Sequence, residues 1–301
     1  MNLFLSVYNF HSIDELWENN SLIQTIVPQI ILKNMYWKIS KVFYISQYSE
    51  LVTPHIPSNN KSEKIDEMIS YFNRKWKEIY PYSQNLTVDE SMTTYKGKIV
   101  FRQFMKDKHK KFGIKIFTKL NSSNGYVYDL LPYTGKGFDY NKEYGLGASV
   151  LIKMIKSHEK KNFYFCFDNF YANVHSIIAL YRNEIDFICT FSKNRKGFHQ
   201  ELKEVEAIPN ETKVFQIKNT DIKFIYFKDN TKKKQVQFIS SKYGEQIYKY
   251  RNKAGKVRIK PEVVCYYNLN KSGVDLTDMS IQIFKSQRRF SKWWKAIFFI
   301  Y

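Results

Sequence analysis

The chain has 301 residues, and 44% of them are hydrophobic, which supports a sizeable core and excludes a disordered polypeptide. Lysines and arginines number 48 against 28 acidic residues, so the formal net charge is +20. This excess is clustered and interleaved with aromatic residues, which favours nucleic acid as a partner over an evenly solvated basic surface. No apolar run approaches the length of a membrane-spanning helix, so no membrane partner is predicted.

The first 84 residues predict helices. Ser12 is placed as the cap of a helix whose first turn carries acidic residues. Two stripes of apolar side chains follow at helical spacing, and both are interpreted as helix-packing core. The first comprises Leu32, Met35, Tyr36, Ile39, Val42 and Phe43, and the second comprises Ile65, Met68, Ile69, Phe72 and Trp76. Pro81 is expected to end the second helix.

Beyond residue 84 the pattern changes to that of strands alternating with helices. Strands are predicted at 86–89, 112–120, 126–131, 162–167 and 186–190, and helices at 148–157 and 174–183. The segments 112–120 and 126–131 form a predicted hairpin around the turn residues 121–125. This order predicts an α/β layer fold with a mixed sheet.

A lysine-rich segment at 197–260 interrupts this alternation and is interpreted as a β-rich insertion, with strands at 212–217, 222–228 and 235–240. The apolar run 263–267 is interpreted as a strand that gives way to a helix from Leu276. The apolar pattern at 297–301 predicts that the last helix continues further. Three cysteines without a Cys-x-x-Cys partner, each in a strand-like apolar run, predict buried free thiols.

Three aspartates lie where these elements end or begin: Asp89, Asp168 and Asp275. Three carboxylates brought together by distant elements can hold two Mg²⁺ ions for phosphodiester chemistry. Asp89 and Glu90 are neighbours on a strand and face opposite sides, so only one of them can point into such a site. The residues alone leave alternatives open, because Asp168 also suits a turn and Asp275 also suits a helix cap.

The order and spacing of several motifs resemble the piggyBac transposase family, including proteins derived from such elements. The segments that carry the resemblance are 86–92 (LTVDESM), 102–105 (RQFM), 112–115 (FGIK), 133–136 (YTGK), 145–150 (GLGASV), 167–171 (FDNFY), 193–197 (KNRKG), 273–278 (GVDLTD) and 292–294 (KWW). The resemblance implies a ribonuclease H-like catalytic domain with the triad Asp89, Asp168 and Asp275, and it makes Asp278 a supporting acid.

The resemblance also implies a domain order. A helical dimerisation and DNA-binding part takes residues 1–84, and the catalytic domain takes 85–196 and 262–279. The β-rich basic insertion takes 197–261, and residues 280–301 return to the helical domain and end as if truncated. The family's C-terminal Cys/His zinc domain, which reads transposon ends, is not in this sequence, so no zinc site is expected.

The implied activity is that of a DDD transposase, which cleaves and transfers DNA strands at transposon ends with a preference for TTAA targets. It would use two Mg²⁺ ions, for which Mn²⁺ can substitute, and act as a nuclear homodimer on double-stranded DNA. Candidates for phosphate contacts are Lys108, Lys111, Lys115, Arg195, Lys196, Arg288, Arg289 and Lys292. Trp293 and Trp294 are adjacent on a helix, so one is expected in the core and the other against an unpaired base.

Two further hypotheses remain beside an active transposase. One is a catalytically silent, domesticated DNA-binding protein on the same fold, because a fold does not guarantee a function. The other is a decayed product that does not fold stably. An intact triad favours catalysis, whereas the missing end-reading domain and the truncated last helix favour loss of autonomous activity.

Overall fold

The structure is a computed structural model in which a mixed sheet carries helices on both faces. The residues that it describes are 13–18, 25–43, 61–106, 111–156, 158, 162–195, 197–230, 234–251, 255, 257–284, 292–298 and 300. The mixed arrangement agrees with the alternation of strand and helix patterns in the sequence. No helix among these residues is long and apolar enough to cross a membrane.

Among the described residues, nine strands form the central sheet in the order β4-β3-β1-β5-β6-β9-β8-β7, and the short β2 also pairs with β3. They are β1 Asn85–Thr94, β2 Gln103–Phe104, β3 Phe112–Asn121, β4 Val127–Pro132, β5 Tyr164–Phe167, β6 Asp186–Thr190, β7 Thr212–Gln216, β8 Lys223–Phe227 and β9 Val236–Ser240. β1 runs parallel to β5 and antiparallel to β3, and β5 runs parallel to β6.

The predicted hairpin is present between β3 and β4. Its turn is held by the Asn121 side chain, which accepts a hydrogen bond of 2.9 Å from the backbone N–H of Ser123. Gly125 has a φ of +74°, a backbone conformation that favours glycine. Asn121 and Gly125 therefore have the roles in this turn that their residue types predict.

The three strands predicted inside the β-rich segment are also confirmed, as β7, β8 and β9. They continue the central sheet, because β9 pairs antiparallel with β6 and β8 pairs with both β7 and β9. A short helix, α6 (Gln200–Glu204), precedes them. The domain boundaries implied by the family resemblance stay predictions.

One face of the sheet packs against α4 (Gly145–Ile155) and α5 (Val174–Arg182). Asn173 caps α5, since its side chain accepts a hydrogen bond of 3.0 Å from the backbone N–H of Ser176. The core on this face joins buried residues of both helices to the sheet. It includes Leu86, Val88, Phe117, Val150, Leu151, Phe165, Phe167, Ile177 and Leu180.

The opposite face packs against α7 (Glu262–Asn270) and α8 (Gly273–Phe284). The prediction of a strand at 263–267 is wrong, because these residues form most of α7. Val263, Val264 and Tyr267 are buried at the spacing of one helical face. Pro261 and Glu262 at the start are also typical of a helix N-terminus. Cys265 is therefore a half-buried helical residue, whereas Cys166 and Cys189 are buried on strands.

The remaining helices are α1 (Val27–Ile30), α2 (Lys33–Val42), α3 (Glu63–Ile79) and α9 (Trp293–Phe298), with a 3-10 helix at Asp14–Trp17. The apolar stripe of α3 is confirmed as core, since Ile65, Met68 and Ile69 are buried against β3 and α9. The same prediction for α2 is wrong, because no residue of α2 is buried. Helical spacing identifies an amphipathic face but does not show what covers it.

Two further strands, β10 (Ile247–Arg251) and β11 (Val257–Pro261), form a separate two-stranded sheet. They immediately precede α7 in the chain. The predicted helix cap Ser12 lies outside the described residues, and the 3-10 helix that follows begins after Ile13 without a side-chain cap.

Candidate active site

Asp89 and Asp168 lie side by side where the parallel pairing of β1 with β5 ends, Asp89 within β1 and Asp168 just after β5. The pairing of β1 with β5 ends at Val88 opposite Phe167, and each aspartate is the next residue. Neighbouring strands are about 5 Å apart, so the backbones of the two aspartates are separated by roughly that distance. The pairing of β1 with β5 therefore brings together two acids that are 79 residues apart in the sequence.

The loop after β5 fixes the carboxylate of Asp168. The backbone N–H of Phe170 donates a hydrogen bond of 2.8 Å to Asp168 Oδ1. Burial raises the pKa of Asp168, and the nearby carboxylate of Glu90 raises it further, while the Phe170 N–H, Lys115 and Arg195 act to lower it. The carboxylates of Asp168 and Glu90 therefore lie near each other, so a cation bound here would be attracted to both.

Glu90 points to the face opposite Asp89 and belongs to a buried polar network. The hydroxyl of Tyr171 donates a hydrogen bond of 3.0 Å to Glu90 Oε2, and Tyr171 is fully buried. Lys115 Nζ lies 3.7 Å from Glu90 Oε1 and 4.5 Å from the centre of the Phe170 ring. These contacts tie β1, β3 and the loop that carries Asp168 together. Apart from the presence of Tyr171 in the FDNFY motif, nothing in the sequence pattern predicts these contacts.

The third acidic group comes from α8, which lies on the sheet face that bears Asp89. Asp278 Oδ1 accepts a hydrogen bond of 2.8 Å from Ser91 Oγ, two residues beyond Asp89 on the same strand. Thr277 anchors the helix by donating a hydrogen bond of 2.6 Å to the Gly125 carbonyl. Asp275, one turn earlier, is exposed. Asp278 therefore faces the sheet and Asp275 lies at the edge of this interface.

These acids do not form a closed set of metal ligands. Within the described part of the chain, no group of three histidine, cysteine, aspartate or glutamate side chains is close enough to hold a metal ion. Asp89 and Asp168 lie next to each other, and α8 brings Asp278 to the same face of the sheet, whereas Asp275 is exposed. Hard carboxylate oxygens are the ligands that Mg²⁺ prefers.

Comparison with known proteins identifies the family. A family model described as Transposase IS4 matches residues 1–301. The human PiggyBac transposable element-derived protein 3 is 25% identical over 258 residues, which are 79% of this chain and 41% of that protein. The chain belongs to the piggyBac transposase family.

Two more piggyBac-related proteins are similar to this chain. The human Chimeric ERCC6-PGBD3 protein is 25% identical over 258 residues, which are 79% of this chain and 23% of that protein. The chain thus spans less than half the length of these curated relatives. A cryo-EM structure of a piggyBac transposase synaptic complex with hairpin DNA matches with a TM-score of 0.82 at 21% identity. It covers 99% of this chain and 60% of that one.

That structural match confirms the predicted α/β, ribonuclease H-like fold with added helices. The strand order agrees with it, because the five strands β4-β3-β1-β5-β6 carry the acidic pair on the central strand and its parallel neighbour. The family and the fold are thus settled, while the roles of single residues remain proposals.

The candidate phosphate contacts of this piggyBac-type chain occupy different environments. Lys111 and Lys292 are exposed. Arg195 instead donates hydrogen bonds to the carbonyl oxygens of Asn169 and Phe170, so it holds the loop that follows Asp168. Lys115 is mostly buried in the network with Glu90. The candidates that lie outside the described residues are Lys108, Lys196, Arg288 and Arg289.

The two adjacent tryptophans differ in how much of each side chain is buried. Trp294 is 3% exposed and packs from α9 into the core that α3 and β3 form. Trp293 is half-buried and contacts Phe101 edge to face, with ring centres 5.1 Å apart. Trp294 is therefore the core residue of the pair, and Trp293 is the candidate for stacking on an unpaired base.

A glycine of the GLGASV motif positions the loop that carries Asp168. A Cβ added to Gly147 would lie 2.1 Å from the Phe170 carbonyl oxygen, so α4 contacts this loop directly through its backbone. Gly147→Ala is expected to destabilise the fold by about 1–3 kcal/mol, because the helix must move away. Chemical denaturation measures this loss. Gly244→Ala is the control, since its nearest neighbour is the mobile end of Lys223 at 3.6 Å, and an equal loss there would contradict the explanation.

Proposed function

We propose that this chain is a piggyBac-type transposase, or a protein derived from one, that cleaves and transfers DNA strands with a divalent metal ion. The observation that carries this proposal is the pair of aspartates where the parallel pairing of β1 and β5 ends, with α8 supplying Asp278 to the same sheet face. In open α/β sheets, active sites lie at the C-terminal ends of parallel strands. Membership of a transposase family supports the same reaction class.

The metal ligands in this proposal are Asp89, Asp168 and Asp275, with Asp278 as a supporting acid. When bound there, two Mg²⁺ or Mn²⁺ ions would supply charge stabilisation for the attacking and leaving oxygens of a phosphodiester. The donor set fits such ions, because it consists of carboxylates and one carboxylate is already crowded by Glu90.

The chain's own residues orient this site. Phe170 N–H fixes one oxygen of Asp168, which leaves the other oxygen available on the strand edge. Arg195 holds the backbone of the same loop, and the Glu90–Tyr171 hydrogen bond holds the loop against β1. Ser91 fixes Asp278, so α8 is held at a defined height above the sheet. Such supporting contacts limit the freedom of the ligands before substrate binds.

An open cleft beside Asp168 supports DNA as the substrate. Its volume is about 700 Å³, and it adjoins Asn169 and the end of β6. The cleft is lined by three lysines, Lys193, Lys228 and Lys234, and by one acidic residue, Glu206. Phosphate groups next to the scissile bond would be attracted to these lysines. The TTAA preference, the homodimer and the nuclear location belong to the same proposal, since they follow from the family's reaction on chromosomal DNA.

The test is nicking of supercoiled plasmid in Mg²⁺ or Mn²⁺, with the wild-type chain compared with Asp168→Ala. Nicking that requires the metal and disappears in the variant is the expected result. Plasmid DNA avoids the need to know the transposon ends. No nicking by the wild type, or equal nicking by both proteins, with DNA binding intact, would overturn the proposed catalysis.

The second candidate is a catalytically silent DNA-binding protein of the same family. It is favoured by one observation, that the acids of the described residues form no closed three-ligand group. This candidate predicts metal-independent DNA binding without nicking. Substitution of Asp168 would then leave every measured activity unchanged, which separates the two candidates in the same experiment.

A further inference from the structure

The ribbon formed by β10 and β11 carries an unusual concentration of positive charge. The two strands pair from Ile247 opposite Pro261 to Arg251 opposite Val257, apart from the central sheet. Residues 247–261 contain six basic residues and no acidic one. The basic residues are Lys249, Arg251, Lys253, Lys256, Arg258 and Lys260. Such an excess attracts a polyanion and repels another copy of this chain, whose net charge is +20.

Apolar side chains are exposed on both sides of the ribbon. Ile247 and Ile259 are 73% and 58% exposed, and they share one side, because Lys249 pairs with Ile259 and lies two residues after Ile247. Tyr248, on the other side, is 51% exposed. A two-stranded ribbon is only marginally stable by itself in water. Exposed apolar and basic side chains together therefore indicate a surface that a partner covers.

The base of the ribbon is fixed to the catalytic part of the chain. Lys260 Nζ lies 3.2 Å from Asp229 Oδ2 next to β8, and the Glu262 N–H donates a hydrogen bond of 2.6 Å to the Gln246 carbonyl. β11 continues directly into α7, which packs on β5 and β6. A molecule held by the ribbon is thus held at a fixed position relative to the strand ends that carry Asp89 and Asp168.

We propose that the β10–β11 ribbon enters the major groove of duplex DNA, an inference that rests on the proposed function above. The major groove of B-DNA is about 12 Å wide and admits a two-stranded ribbon, whereas the minor groove is about 6 Å wide. Lys249 lies on the side of the ribbon that carries Ile247 and Ile259, and Arg251 follows two positions later on the same strand, so β10 brings two basic residues to a groove that is edged by phosphates. The exposed isoleucines contact thymine methyl groups at the groove floor.

The test measures how the affinity of the 301-residue chain for a mixed-sequence duplex depends on salt. The ribbon variant is Lys249→Ala with Arg251→Ala, and the control is Lys153→Ala with Lys218→Ala, two exposed lysines elsewhere. Each lost phosphate contact reduces the slope of log affinity against log salt by about 0.9. The ribbon variant is expected to lose about 1.8 from the slope. The control is expected to match the wild type, and all proteins should melt alike.

A second duplex tests whether the ribbon binds in the major groove. Glucosylated cytosines fill the major groove, so they should weaken binding by the wild type and by the control but have much less effect on the ribbon variant. A wild-type slope near zero would overturn the proposed function itself. A steep wild-type slope that the ribbon variant shares would overturn only the ribbon's role. Equal sensitivity of all three proteins to glucosylation would overturn the assignment to the major groove.

Discussion

Replacement of Asp89 by asparagine is expected to lower the rate of metal-dependent plasmid nicking by more than about 100-fold, while DNA affinity is unchanged or rises. The loss of a residue that only supports a metal ligand costs about 10–100-fold, so removal of a ligand itself should cost more. Asp89 follows Val88 within β1, and Val88 is paired with Phe167, the residue before Asp168. Asparagine keeps the shape of the side chain and removes the negative charge that a metal ion requires.

The neighbouring acid provides a matched control for this prediction. Glu90 lies on the opposite face and is bonded to Tyr171, so Glu90→Gln is expected to reduce nicking only about 10-fold, as a supporting residue does. The double variant of Asp89 and Asp168 should nick no more slowly than either single variant, because both belong to one site. A larger loss for Glu90→Gln than for Asp89→Asn would show that the wrong face of β1 was assigned to the metal.

Local patterns predicted most of the sheet. The alternation in residues 112–120 and the turn residues at 121–125 act over a few positions, and the hairpin follows from them without help from the rest of the chain. The same local reasoning failed at α7, where β-branched and aromatic residues suggested a strand. Tertiary packing determines that this segment is a helix, because Val263, Val264 and Tyr267 bury one helical face against the sheet.

Some residues of the candidate site could likewise be predicted from the sequence, and others could not. Asp89 and Asp168 could be placed near each other from the sequence, because each follows an apolar run and the two runs form neighbouring parallel strands. The roles of Tyr171, Lys115 and Arg195 could not, because each depends on a contact between segments distant in the sequence. Lys115 and Arg195 look like surface cations in the sequence, yet the structure uses them inside the loop that carries Asp168.

Lys119 is a further basic residue whose burial could not be predicted from the sequence. Its place in the alternating pattern of β3 suggested a polar face, but its side chain is 1% exposed. Lys119 Nζ lies 2.6 Å from Asp129 Oδ2 and donates a hydrogen bond of 2.9 Å to the Met154 carbonyl. Burial lowers the pKa of Lys119 to about 8, although Asp129 acts to raise it. Asp129 is therefore what keeps this buried ammonium group charged at neutral pH.

Asp129→Ala is expected to destabilise the fold by about 3–5 kcal/mol at neutral pH, because a buried charge loses its counterion. The loss should shrink as the pH rises from about 6 to 9. Without Asp129 the folded-state pKa of Lys119 falls further below its unfolded value of about 10.4. Between those values the unfolded state binds more protons, so the stability of the variant rises with pH over a wider range than that of the wild type.

Urea denaturation at several pH values measures this difference in stability. Lys77→Ala is the control, since Lys77 also pairs with Asp129 at 2.5 Å but is 31% exposed. Its removal should cost less than about 1 kcal/mol, with little dependence on pH over this range. A loss in Asp129→Ala that stays constant from pH 6 to 9 would contradict this account. The cost would then lie in packing around β4, and the charge of Lys119 would have no part in it.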